Sequence, residues 1–124
     1  MAAILDSFVV DCAEPLLVAR FWSAALDWNI VAEDEDVAEI ADPSERSRPV
    51  LFVVVPEPKS VKNRLHMDIR PSVSMQAEVT RLASAGATRL RRVDEGGSFW
   101  TVMSDPEGNE FCVLRGPEDG WSPE

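Results

Sequence analysis

The sequence predicts an α+β fold of two tandem βαβββ modules forming a curved mixed sheet around a central cavity. Three observations point to it. The chain repeats internally. Displaced by 59 positions, Asp6-Ser7-Phe8-Val9-Val10-Asp11 falls on Leu65-His66-Met67-Asp68-Ile69-Arg70, and residues 51–55 fall on 110–114 with Phe52 on Phe111. A four-residue slip between these blocks brings Asp42-Pro43 onto Asp105-Pro106, as a loop of different length would. Each copy then reads strand, helix, three strands. Finally, one helix can cover only one face of a four-stranded sheet. The other face needs cover from the second module, and two sheets curling towards each other enclose a space.

Residues 4–11 alternate as a strand, with Phe8 and Val10 on one side and Ser7, Val9 and Asp11 on the other. Glu14-Pro15 opens a helix, proline taking the first helical position where its missing N–H costs nothing. Leu17, Phe21, Ala24, Ala25 and Trp28 recur at helical spacing and give that helix an apolar face. Residues 28–32 and 37–41 read as a hairpin turned by the acidic segment 33–36. Residues 50–55 are a nearly continuous β-branched run of the kind buried on both faces. Pro56-Glu57-Pro58-Lys59 cannot continue a central strand. Module one therefore spans 4–55, and 56–63 is a linker.

Module two, 64–115, opens with Leu65, Met67 and Ile69 as an apolar face and His66, Asp68 and Arg70 as a polar one. A helix over 74–85 points Val79, Leu82 and Ala83 inward, with Gly86 where a left-handed cap belongs. Strands at 88–93 and 98–104 are joined through Asp94-Glu95-Gly96-Gly97. Arg89, Arg91 and Arg92 read as a solvated strand edge. Asp105-Pro106-Glu107-Gly108 suits a type I turn. Phe111 and Val113 then face the helix, and Glu110, Cys112 and Leu114 face away. The tail, 116–124, is expected to be loosely held, with Trp121 packing onto the surface. The whole chain, 1–124, reads as one domain of 124 residues, enough for a real core.

Charge and composition exclude several functions. Twelve basic and 22 acidic residues leave a net charge of −10, against the basic stripe that nucleic-acid binding requires. The acids cluster at Glu33, Asp34, Glu35, Asp36 and Glu39, and again at Glu118, Asp119 and Glu124, and read as solvated surface. No apolar run approaches the ~20 residues of a membrane helix. The first twenty residues carry Asp6, Asp11 and Glu14 and no basic segment, so they do not read as a signal peptide. With only two cysteines, the expected compartment is a reducing cytoplasm.

Alternation sends Ser7, Val9, Asp11, Leu51, Val53 and Val55 of module one, and His66, Asp68, Arg70, Glu110, Cys112 and Leu114 of module two, towards the cavity. One wall is apolar, and the other carries an imidazole, a thiol, two acids and an arginine. Arg70 is expected to join Asp68 and Asp11 in an ion-pair network, or to clamp a ligand carboxylate. His66 is the one side chain suited to act as a general base.

With Leu65-His66-Met67-Asp68-Ile69 opening module two and Asp105-Pro106-Glu107-Gly108-Asn109-Glu110-Phe111-Cys112 closing it, residues 4–115 resemble the vicinal oxygen chelate superfamily. That group includes glyoxalase I, extradiol dioxygenases and the fosfomycin- and bleomycin-resistance proteins, and the closest resemblance is to its glyoxalase-like branch. The resemblance implies metal ligands near the middle of the first and last strand of each module, here Ser7, Val53, His66 and Cys112. Glutamate is common in that family where Cys112 stands, and Glu110 lies two residues away. Val53 cannot ligate and Ser7 is a poor ligand, whereas Zn²⁺ or Fe²⁺ needs at least three strong ligands. The expectation is therefore no metal. If one binds, His66 with Cys112 or Glu110 would hold Zn, Ni, Mn or Fe.

Three functions follow in order. The first is a metal-free protein that binds a small molecule through Ser7, Asp11, Val53, His66, Asp68, Arg70, Glu110 and Cys112, for sequestration or resistance. The second is a lyase, isomerase or dioxygenase-type enzyme using His66, with or without a divalent metal. The third is a non-catalytic dimerising module. A homodimer is expected, with no nucleic acid or membrane as partner.

Overall fold

The computed structural model describes residues 1–123; Glu124, one of the tail acids, lies outside the described residues. The chain divides into two compact units, residues 1–59 and 60–124, each ordered strand, helix, three strands. The first holds β1 (Phe8–Cys12), α1 (Pro15–Leu26), β2 (Asn29–Glu33), β3 (Val37–Ala41) and β4 (Val50–Val54). Its sheet runs β1-β4-β3-β2, with β1 and β4 parallel and the other pairs antiparallel. The second holds β5 (Asp68–Ile69), α2 (Met75–Ser84), β6 (Thr88–Glu95), β7 (Ser98–Ser104) and β8 (Glu110–Leu114), then a 3-10 turn at Pro117–Asp119. Its sheet runs β5-β8-β7-β6, and β5 with β8 is its parallel pair. No helix among the described residues is long and apolar enough to cross a membrane.

In the first unit β1 begins later than alternation predicts. Phe8 stands opposite Val50 and donates its N–H to the Pro49 carbonyl at 3.0 Å. Pro49 has no N–H to return, so the ladder stops, and Ile4 and Leu5 stay exposed. Helix α1 starts at Pro15 as expected but turns a different stripe inward. Val18, Ala19, Phe21, Trp22 and Ala25 are buried, and the Trp22 and Phe21 rings meet edge-on at 5.2 Å. Leu17 and Ala24 are exposed instead and Trp28 is half-buried. Trp22 carries more apolar area than Leu17, so burying it is the more favourable rotation of the helix. Strand β4 is not buried on both faces: Val50 and Phe52 are buried, while Leu51 and Val53 keep partial exposure.

In the second unit Ser74 caps α2, its hydroxyl accepting from the Ala77 N–H at 3.0 Å. Met75, Val79 and Leu82 are buried with Phe111 and Val113, and Ala83 is exposed. Gly96 and Gly97 take φ of 57° and 85° between the paired Glu95 and Ser98, the two left-handed residues a tight hairpin needs. Strand β5 is two residues long, shorter than the six the alternation suggests, and Pro71 ends any extension past Arg70.

The described part of the tail is held at Asp119 and Trp121 rather than loose. Asp119 Oδ2 accepts from the Met75 N–H at 2.7 Å and the Gly116 N–H at 2.9 Å. A carboxylate is thereby placed at the first turn of α2, where unpaired N–H groups and the helix dipole favour it. Gly116 permits this approach: a β-carbon there would lie 1.8 Å from the Val73 carbonyl oxygen.

The two parallel ladders also correct the repeat. Asp11 stands opposite Val53 in the first unit, and Asp68 opposite Cys112 in the second. Val53 and Cys112 are 59 positions apart, whereas Asp11 and Asp68 are 57 apart. The last strands keep the 59-residue displacement and the first strands slip by two. An even slip preserves which side chains share a face. The counterpart of His66 is accordingly Val9, not Ser7.

Gly116→Ala is expected to lower unfolding free energy by about 2–3 kcal/mol in denaturant titrations and to release Trp121. A loss below about 0.5 kcal/mol would contradict this attachment of the tail.

Candidate functional site

The second unit's site is built from a turn outward. Asp105, buried at 4% exposure, directs its carboxylate back into its own turn. Oδ1 accepts from the N–H groups of Glu107 (2.8 Å) and Asn109 (3.0 Å), and both oxygens accept from the Asn109 side-chain amide. Asn109 Oδ1 in turn accepts from Asn63 Nδ2 at 3.1 Å, and the Asn63 N–H donates to Glu110 Oε1 at 2.9 Å. The chain entering β5 is thus tied to the start of β8. The Cys112 N–H then donates to the Met67 carbonyl at 2.9 Å, which sets Asp68 opposite Cys112.

On the sheet face away from α2, His66, Asp68 and Cys112 converge. One ligand-type atom from each lies within 4.8 Å of the others, and His66 Nδ1 sits 3.3 Å from Asp68 Oδ1. Burial pushes the Cys112 thiol up from its ordinary range, and the charge of Asp68 and a hydrogen bond to it push the same way. Arg91 and Lys62 oppose the shift. The thiol therefore keeps its proton at neutral pH and is a weak nucleophile there.

A cavity of about 440 Å³ opens over this cluster, lined wholly by the second unit. Trp100, Val102 and Leu114 give it apolar surface, and Lys62, Arg70, Arg91 and Arg115 give it positive charge. The Arg70 guanidinium lies 3.9 Å from the Trp121 ring centroid, and its Nη1 donates to the Arg115 carbonyl at 2.8 Å. Burial lowers the Arg70 pKa from its usual value, and the nearby Arg115 cation lowers it further, against Asp68. The expected Arg70–Asp68 ion pair gives way to His66–Asp68 and to the Arg70–Trp121 stack.

The structure brings together His66, Asp68, Arg70, Glu110 and Cys112 of the residues expected from sequence. Ser7 precedes β1, while Asp11 and Val53 are cross-strand partners on module one. The register makes Val9, Asp11 and Val53 the counterparts of His66, Asp68 and Cys112, so module one has neither imidazole nor thiol at these positions. Sequence reasoning missed Trp100, Val102, Arg91, Arg115 and Trp121. The first two were within reach: Val102 stands opposite Cys112 and Trp100 opposite Leu114 on β7, a strand whose alternation was not followed. From sequence Arg91 reads as part of a solvated edge. A register irregularity between Arg89 and Arg91 sets it opposite Val102, and it lines the cavity.

Imidazole, carboxylate and thiolate are donors that Zn²⁺ and similar divalent ions accept. His66, Asp68 and Cys112 fit that requirement in type, and a cation there would have to displace the Cys112 proton. Asp68 supplies a third donor that the family resemblance did not assign. Glu110 accepts from Asn63 instead.

A family model described as a glyoxalase-like domain matches residues 7–114. Similar solved structures include a glyoxalase-related enzyme from Fulvimarina pelagi, 15% identical over 94% of this chain and 90% of that chain, with a TM-score of 0.72. A glyoxalase/bleomycin resistance protein/dioxygenase family enzyme from Burkholderia phytofirmans PsJN is 16% identical over 90% and 97%, with a TM-score of 0.71. The bleomycin-binding protein from bleomycin-producing Streptomyces verticillus, solved with copper(II)-bleomycin, is 15% identical over 94% and 99%, with a TM-score of 0.59. At these identities the likeness is one of fold. No curated protein matches the chain.

Because burial and, after it, Asp68 raise the Cys112 pKa, Cys112 is expected to react slowly with iodoacetamide at pH 7–8 and to accelerate only above the ordinary thiol range. Asp68→Asn should bring that acceleration to lower pH. Peptide-resolved mass spectrometry separates Cys112 from Cys12, and an unchanged profile in Asp68→Asn would refute the coupling. The sign for stability is the same. A raised folded-state pKa contributes stability below the unfolded thiol's pKa that fades as pH rises through the folded value.

Proposed function

The chain belongs to the glyoxalase-like domain family of the vicinal oxygen chelate superfamily, and from that premise we propose that it binds a small organic molecule in the module-two cavity without a catalytic metal. The observation that carries this is the cavity itself. Its volume of about 440 Å³ lies within the range typical of small-molecule sites, and aromatic surface and hydrogen-bonding groups converge on it. The absence of imidazole and thiol from the matching positions of module one favours binding over metal chemistry. The Streptomyces verticillus neighbour, a bleomycin-binding protein, offers a parallel for a sequestration or resistance role on this fold.

The protein so described is a cytoplasmic homodimer. Its two cysteines, both buried as thiols, suit a reducing compartment. Val9, at 59% exposure, with the partly exposed Leu51 and Val53, leaves apolar surface on the helix-free face of module one for a second copy to cover. A single monomeric species in sedimentation velocity would remove the dimer.

The convergence of His66, Asp68 and Cys112 favours a second function, a lyase, isomerase or dioxygenase-type enzyme with a divalent ion on these three side chains. Such an ion would supply Lewis acidity towards an oxygen of the bound molecule. His66 would orient through Asp68, and Cys112 would give up its proton on loading.

Thermal unfolding of chelator-treated chain decides between them, with a panel of aromatic and charged compounds and separately with Zn²⁺, Ni²⁺, Mn²⁺ or Fe²⁺. A ligand at a hundred times its dissociation constant adds ~2.7 kcal/mol to the folded state, which is several degrees for this size. The expected result is a rise with an organic compound that Trp100→Ala abolishes. A rise with metal alone that is lost in His66→Ala would establish the second function, and no rise with any organic compound would end the first.

A further inference from the structure

The cavity's charge is opposite to that of the chain. Lys62, Arg70, Arg91 and Arg115 line it against Asp68 and Glu110, a local excess of two positive charges in a protein of net charge −10. Both acids are already engaged, Asp68 with His66 Nδ1 at 3.3 Å and Glu110 with the Asn63 N–H at 2.9 Å. Among the described residues, none of the four cations has a carboxylate within 4.0 Å. Neighbouring arginines do pair: Arg81 with Glu78 at 2.7 Å and Arg92 with Asp94 at 3.1 Å. The four cations that line the cavity thus lack the carboxylate partner that Arg81 and Arg92 have.

Arg70 and Arg115 line the same cavity, and after burial it is the Arg115 cation that lowers the Arg70 pKa further, against Asp68. No ion pair among the described residues neutralises them, and Asp68 offsets their repulsion only in part. The Arg70–Trp121 stack orients the guanidinium plane, and its one described hydrogen bond uses Nη1, leaving other N–H donors for a ligand. A planar guanidinium matches a carboxylate in two parallel hydrogen bonds, and an anion between two such groups also relieves their repulsion. Trp100, Val102 and Leu114 present apolar surface in the same cavity, which an aromatic ring covers well.

We infer that the cavity selects a planar aromatic carboxylate, its ring against Trp100 and its carboxylate between Arg70 and Arg115. This rests on the proposal that the cavity binds a small molecule, and it names the ligand's chemical class. It also reverses what the acidic surface alone suggests, since a cationic ligand would meet four positive side chains.

The test is calorimetric titration of the full chain with 1-naphthoate, with uncharged 1-naphthalenemethanol, and with 1-naphthylmethylammonium. Naphthoate is expected to bind at least roughly ten-fold more tightly than either of the others. Its affinity should fall with added salt, as screening of a charge contact requires. Arg115→Gln is expected to weaken naphthoate by roughly ten-fold and to leave naphthalenemethanol unchanged. Arg70→Gln should do the same, with its melting midpoint checked because Arg70 also holds Trp121. Equal or tighter binding of the alcohol or the ammonium compound would overturn the carboxylate inference and leave the binding proposal standing. Failure of naphthoate to bind at millimolar concentration also overturns it, while the broader compound panel separately decides whether the cavity binds anything.

Discussion

The site depends on one short parallel pairing, β5 against β8. Only Asp68 and Ile69 form β5, yet the bond from the Cys112 N–H to the Met67 carbonyl fixes which side chains meet. Moving β5 by one residue along β8 would turn Asp68 towards α2 and away from Cys112, which the ladder with β7 holds in place. The pairing is held from outside by the Asp105 turn and its bridge through Asn109 to Asn63. Local hydrogen-bond chemistry of a loop thereby sets the geometry of the cluster.

The strand–helix–three-strand order was legible because alternation, helical spacing and the two Asp-Pro turns are local signals. Asp42 accepts from Ser44, Arg46 and Ser47 within its own turn, and Asp105 does the same for Glu107 and Asn109. These interactions lie within a few residues of sequence. Quantities set by long-range packing were less legible. Which stripe of α1 turns inward depends on the relative size of Leu17 and Trp22 against the sheet, and spacing alone does not rank them. The slip between first strands is invisible to a fixed displacement because an even offset keeps the same faces. Of the site, the module-two half was legible from strand parity. Its cationic side was not, since Arg91 depends on a register irregularity and Trp121 on Asp119 anchoring the tail.

The two modules share a plan but not a chemistry. At matching ladder positions module one places Val9, Asp11 and Val53, and module two places His66, Asp68 and Cys112. Acidic residues are densest in the β2–β3 hairpin and the tail, while the module-two cavity gathers four cations. An acidic exterior keeps the protein soluble without dictating what the cavity accepts. Screening by salt limits how far either effect reaches.

The most direct measurement is amide and indole chemical-shift mapping on isotopically labelled chain during titration with 1-naphthoate. The expected changes centre on Asp68, Arg70, Trp100, Cys112 and Arg115, with the Trp100 and Trp121 indole signals moving and those of Trp22 and Trp28 still. Changes centred on β1 and β4 instead, or none at saturating ligand, would contradict a binding site on the helix-free face of module two.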